Sequence, residues 1–278
     1  MYEPIRLLWG TILLRPYVFA FLAVYLVAGW RHIGWKRTLA YIPVGYALAW
    51  LSEFSSIHWG FPYGDYFYIR STTDRELWVF GVPFMDSLSY VFLSYCSYSL
   101  AVFLASPLTV MSGNLITLET SRIRRSWQTL ILGAFLFTFL DIVIDPVALQ
   151  GHRWFLGLIY GYRHKGLYFG IPMSNFGGWL LVGAVLTWAL QILERIPCPD
   201  SKLRLPLNRW SWMRLLGPVL YVSVLLFNIA VTFYIGEMLL GLVDLLLFAA
   251  LLVPMAFFTL FKKANISAED VNAYLVSD

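Results

Sequence analysis

Asp141 and Asp145, in the run LDIVIDPVA, stand four residues apart inside an apolar stretch and so share one helix face. A carboxylate at membrane depth costs at least ~2.5 kcal/mol, so such groups line a working cavity, or else sit solvated at the interface or brace a neighbouring helix. Glu53 closes a second apolar stretch and is followed by Ser55, Ser56, His58 and aromatics broken by Gly60, Pro62 and Gly64. Asp86 opens a third, with Tyr90, Ser94 and Ser97 at helical spacing, a stripe that faces the bundle interior or acts as helix–helix glue. Around these acids the chain is dense in Trp59, Tyr63, Tyr66, Tyr68, Tyr160, Tyr162 and Trp179. Such rings form an interfacial belt by default, but a pocket walled by them holds a long apolar ligand and stabilises a carbocation. A carboxyl kept neutral by apolar surroundings is a general acid at neutral pH, and a second carboxylate with polar neighbours orients water. Without metal or cofactor, those parts suit protonation of an electron-rich alkene followed by capture of the cation.

The elements that must position these groups are membrane helices. Of 278 residues, 59% are hydrophobic and only 13% charged, against roughly 25% charged in a soluble domain. The reading is all-α: a polytopic bundle of about seven transmembrane helices in one domain, 1–278, with a polar tail over about 262–278. Apolar stretches fall at about 16–30, 38–54, 79–105, 127–148, 174–193, 215–235 and 238–260. Leu7 to Leu14, ahead of Arg15-Pro16, suit the interface, and no small-residue cleavage site follows them, so the first span is read as uncleaved. Alternating barrel strands are absent. Thirteen of the 20 Lys and Arg residues fall in one alternate set of connections, among them 197–210, PCPDSKLRLPLNRW. That bias predicts the N-terminus outside and the C-terminus inside a bacterial cytoplasmic membrane.

An internal echo places the acids. FGVPFMD (80–86) and FGIPMSN (169–175) match, each opens an apolar stretch, and each follows a stretch that ends in acid. Two helix hairpins in the same orientation would resemble the parallel repeats of some transporters. Whichever way the chain is inserted, Glu53, Asp86, Asp141, Asp145 and Asn175 converge on one side, joined by Glu237 and Asp244 from the turn between the last two spans. Asn228 reads as helix glue.

Other chemistries lack their residues. Four histidines without clustered boxes give no metal site, and no G-x-G-x-x-G follows a strand, so no cofactor is expected. Cys96 lies mid-helix and Cys198 in an inner loop, which argues against a disulfide between them. A net charge of +4 held in topology-setting loops implies no nucleic-acid partner; the expected partners are the lipid bilayer, an apolar substrate and other enzymes of its pathway.

The pattern EFSSIHWGFPYGDYFY (53–68), with DIVIDPVALQGHRW (141–154) and YFGIPMSNFGGW (168–179), resembles the CruF-type carotenoid hydratase family over roughly residues 40 to 190. The resemblance implies a multi-helix membrane enzyme that adds water, without cofactor, across the terminal C1=C2 bond of an open lycopene- or γ-carotene-like end group. Carried over by position, it marks Glu53, Gly60, Pro62, Tyr63, Gly64 and Tyr66, then Asp141, Asp145, Pro146, Gly170, Pro172, Asn175, Phe176 and Trp179. FGVPFMDSLSY departs from the family's pattern and leaves Asp86 outside that set. The expected catalytic groups are Asp145 as proton donor with Glu53 or Asp141 orienting water; Trp59, Tyr63, Tyr66, Asp86, Asn175, Phe176 and Trp179 line the substrate. Three alternatives stay open. A membrane prenyltransferase would need a second Asp-rich motif, which is missing. A carotenoid cyclase would capture the same cation with a second double bond, and a carotenoid-binding or transport protein would need acids at several depths.

Overall fold

The structure, a computed structural model, describes residues 2–111, 114–196 and 211–263. The basic loop 197–210 with Cys198, and nearly all of the polar tail, lie outside the described residues. The helices are α1 (Glu3–Leu14), α2 (Pro16–His32), α3 (Trp35–Trp59), α4 (Phe84–Ala105), a single turn α5 (Ser121–Arg124), α6 (Trp127–Ala148), α7 (Met173–Leu193), α8 (Leu216–Tyr234) and α9 (Met238–Lys263). Three short antiparallel ribbons accompany them: β1 (Tyr66–Tyr68) with β6 (Tyr160–Tyr162), β2 (Trp78–Val79) with β3 (Val82–Pro83), and β4 (Leu108–Met111) with β5 (Asn114–Thr117).

The fold is an all-α bundle with α4 at its centre. From Met85 to Val102 nearly every α4 side chain is buried, and α2, α3, α6, α7 and α8 pack round it. A helix surrounded on all sides has no use for a polar face, so its Ser and Tyr hydroxyls bond inward. Ser94 Oγ pairs with Tyr41 on α3 at 2.7 Å, and Ser97 Oγ donates to Leu93 O of its own helix at 2.7 Å. Of the lower half of the Asp86 stripe, Ser94 is therefore helix–helix glue, while Ser97 is satisfied within α4. α9 is the peripheral helix, packed mainly on α8.

Among the described residues, seven helices have 17 to 26 residues. Five are both long and apolar enough to cross a membrane, and a sixth span arises if α1 and α2 count as one broken span. α3 has the length but carries Lys36, Arg37, Ser52, Glu53, Ser55, Ser56 and His58, which dilute its hydropathy. α1 turns 89° from α2, in line with an interfacial Leu7–Leu14. The break is local: Pro16 sits at the first turn of α2, and the residue before a proline is pushed out of the helical region, here Arg15 at φ −125°, ψ 50°.

The stretch expected to enter the membrane at 79 begins instead with a hairpin. Phe80 and Gly81 form its two-residue turn with φ of 49° and 85°, and Phe169 and Gly170 repeat it at 45° and 88°. Turns with both central residues at positive φ match the right-handed twist of flanking strands, and Gly fills the second site at no steric cost. In each copy the following proline, Pro83 or Pro172, caps the next helix with extended backbone. The sequence echo is thus a conformational one, and it sets Asp86 and Asn175 at matching positions in the first turns of α4 and α7.

Candidate active site

Two helix ends supply the deepest acids. Asp141 and Asp145 project from the last turns of α6, where Pro146 is followed only by Val147 and Ala148 before the helix stops. Glu53 projects from α3, two turns before its end. All three are buried, Asp141 completely. They line one cavity of about 140 Å³ together with Asp86, Asn175, Tyr63, Tyr66 and Trp179.

Each carboxylate meets a different set of donors. Both oxygens of Asp145 are engaged: Tyr160 donates to Oδ1, Tyr162 to Oδ2 at 2.6 Å, and Asn175 Nδ2 to Oδ2 at 3.1 Å. Asn175 Nδ2 also reaches Asp141 Oδ2 at 2.7 Å, while Asp141 Oδ1 is buried with no partner. Glu53 Oε2 accepts from Ser87, and Asp86 Oδ2 accepts from Tyr68 at 2.6 Å. Buried polar atoms are almost always paired, so the unpartnered oxygen of Asp141 is the exception among these acids' hydrogen-bonded oxygens.

The phenols arrive on the β1–β6 ribbon. Its register pairs Tyr66 with Tyr162, Phe67 with Gly161 and Tyr68 with Tyr160. Side chains alternate faces along a strand, so all four tyrosines share the face turned to the acids while Phe67 lies on the other, partly exposed. Burial first, and Asp86 or Asp145 next to them second, hold the phenols of Tyr68, Tyr160 and Tyr162 well above their ordinary value. They are donors at any physiological pH. On the far wall Trp179 stacks on Tyr90 with centroids 4.8 Å apart and leans on Phe137 at 4.7 Å. Next to it, Gly178 admits the Pro62-Tyr63 backbone: a Cβ there would lie 2.6 Å from the Tyr63 ring and 2.7 Å from Pro62 O.

Residues 10–251 match the family described as carotenoid biosynthesis protein. The chain belongs to that family. Among curated proteins and among solved structures, nothing matches. The match covers α2 to α8 entire and most of α9, so in this carotenoid biosynthesis protein the cavity lies wholly inside the family's common region.

Of the residues singled out from sequence, Glu53, Asp86, Asp141, Asp145, Tyr63, Tyr66, Asn175 and Trp179 come together at the cavity. Trp59 and Phe176 do not. Trp59, the last residue of α3, is 72% exposed against Phe54 and His58, and Phe176 packs on Tyr168 with centroids 5.8 Å apart. Both occupy helix positions turned away from the acids. Glu237 pairs with Arg153, and Asp244 accepts from Thr232 at 3.3 Å, so neither joins the cluster. Asn228 lines the cavity while donating to Val224 O of its own helix. Among the described residues no three His, Cys, Asp or Glu side chains gather as a metal would need. Missed from sequence were Ser87 as the partner of Glu53 and the whole contribution of α2 and α8, whose apolar residues carry no signal that separates cavity wall from lipid face. The donor role of the tyrosines was written in YFY and YGY, two period-two triplets beside the acids.

Proposed function

We propose that this carotenoid biosynthesis protein is a hydratase, adding water across the terminal C1=C2 bond of an open carotenoid end group such as that of lycopene or γ-carotene. The observation that carries the reading is the unequal provision of the α6 carboxyls. Asp145 has both oxygens engaged by donors, whereas Asp141, one turn deeper, keeps an unpartnered oxygen. On this reading the proton donor is Asp141 in place of Asp145. Asp141 gives a proton to C2 and the electron pair of the double bond forms the new C–H bond, leaving a tertiary cation at C1. The negative charge of Asp145 and the faces of the surrounding rings stabilise that cation, as preorganised charge does in other sites. Water held by Glu53 attacks C1, and the proton it releases returns to the carboxylates of the same cluster. The net change is one water added, with no electron transferred.

The charge asymmetry of the connections supports an orientation with the acids at the outer face and the basic connections inside. Purified protein in detergent, given lycopene in buffer made with H₂¹⁸O under anaerobic conditions, is expected to form a product carrying ¹⁸O. Incorporation from O₂, a ring isomer without added mass, or a need for divalent metal would replace the reading with an oxygenase, a cyclase or a transferase.

A further inference from the structure

The cavity has a second arm that the chemistry above does not use. Beyond the acids it continues between α2, α4 and α8, lined by Tyr17, Phe21, Phe92, Leu93, Val224 and Phe227. The rings that line this arm touch one another. Tyr17 stacks on Phe227 at 5.6 Å, Phe21 meets Phe227 edge-on at 5.8 Å, and Phe21 leans on Phe92 at 5.7 Å. Phe92 is buried, but Tyr17, Phe21 and Phe227 are only half-buried, and the α2 and α8 faces beside them (Val24, Leu226) are exposed and apolar. The seam therefore gives onto the hydrocarbon side of the bundle. Aromatic rings that touch without hydrogen bonds part at the cost of packing only.

Size sets what can enter. A dry cavity of ~150 Å³ accommodates a molecule the size of benzene, so about 140 Å³ holds roughly one isoprene unit and little more. A carotenoid is many times longer. We infer that the α2–α8 seam is a side door through which one open end group enters, while the rest of the polyene stays in the bilayer. The protein then reads a single chain end and is indifferent to the other. This inference rests on the hydratase reading for the identity of the end group, but its test does not need turnover.

Binding is read as visible absorbance retained by the purified protein after gel filtration, with lycopene (two open ends), γ-carotene (one) and β-carotene (none) as probes. Lycopene and γ-carotene are expected to be retained within about threefold of each other, and β-carotene at least tenfold less. Val224→Trp fills the arm and should cut retention at least tenfold, and Phe227→Trp at the seam should do the same, while Leu226→Trp on the lipid face of α8 leaves it unchanged. Melting temperature and yield show whether either filled variant has failed to fold. Equal retention of β-carotene, or undiminished retention in both folded variants, overturns the side door. Retention as expected with no ¹⁸O product leaves the door standing and removes the hydratase.

Discussion

Asn175 Nδ2 donates to Asp141 Oδ2 at 2.7 Å and leaves Oδ1 of that carboxyl buried without a partner. The amide therefore fixes which oxygen of Asp141 is held and which stays without a hydrogen bond. Asp141→Asn is expected to lower hydration by about 10²–10⁴-fold, the range for loss of a general acid, with membrane protein level unchanged. Asn175→Leu, which frees the carboxyl to rotate, should cost less, about tenfold. Product formation per milligram of purified protein checks both. A fully active Asp141→Asn would return the donor role to another acid.

Tyr160 and Tyr162 each hold one oxygen of Asp145. Because burial and that carboxylate keep both phenols well above the ordinary value of about 10, they stay protonated below it and do not titrate across neutral pH. Tyr162→Phe should thus show the same alkaline side as the wild type up to about pH 9, with activity reduced roughly tenfold. An alkaline limb in the wild type that vanishes in the variant would contradict this placement.

A buried ion pair fastens the bend between α1 and α2 to the loop ahead of β2. Arg15 Nε and Nη2 each lie 3.1 Å from a Glu76 oxygen, and the third nitrogen, Nη1, donates to Leu156 O, whose side chain lines the cavity. Removing one partner of such a pair costs about 3–5 kcal/mol because the other is left charged and buried. Glu76→Gln should therefore lower the melting temperature in detergent sharply, and the double variant Arg15→Met with Glu76→Leu should recover part of the loss. No recovery in the double variant would show that the loss does not come from an unpaired charge.

The opposite end of the bundle carries its own network. Burial works against a charge on Glu119, but His32 Nε2 at 3.0 Å and Arg124 at 2.8 Å outweigh it and hold the carboxyl well below its ordinary range. A carboxyl lowered in the folded state contributes stability that is whole above its unfolded value of about 4.3 and is lost as pH falls through that range. Thermal melts at pH 7 and pH 4 should differ more for wild type than for Glu119→Gln. Equal differences would mean that this carboxyl is not the group that titrates.

The helices were legible because apolar runs of that length have few other fates, and α6 came out to the residue. The hairpins were not. Phe80 and Phe169 adopt a backbone that bulky residues avoid, so propensity argues against the turns they form, and only their repetition in FG-x-P marked them. Among site residues the acids stood out because charge in an apolar run is conspicuous. Trp59 and Phe176 misled because abundance of aromatics near an acid says nothing of which way a helix position faces. Phe21 and Phe227 were silent, since a ring against a polyene and a ring against lipid look alike in sequence.

The β1–β6 ribbon bears on the order of assembly. Its strands come from connections nearly a hundred residues apart, one made between α3 and α4, the other after α6. During synthesis the first connection emerges with its edge unpaired and with Tyr66 and Tyr68 facing nothing. The donors of Asp145 arrive only when the second connection closes onto it. Membrane insertion of the helices and completion of the acid cluster are thus separate events, and a nascent chain can be threaded through the bilayer well before it holds a carboxyl able to act.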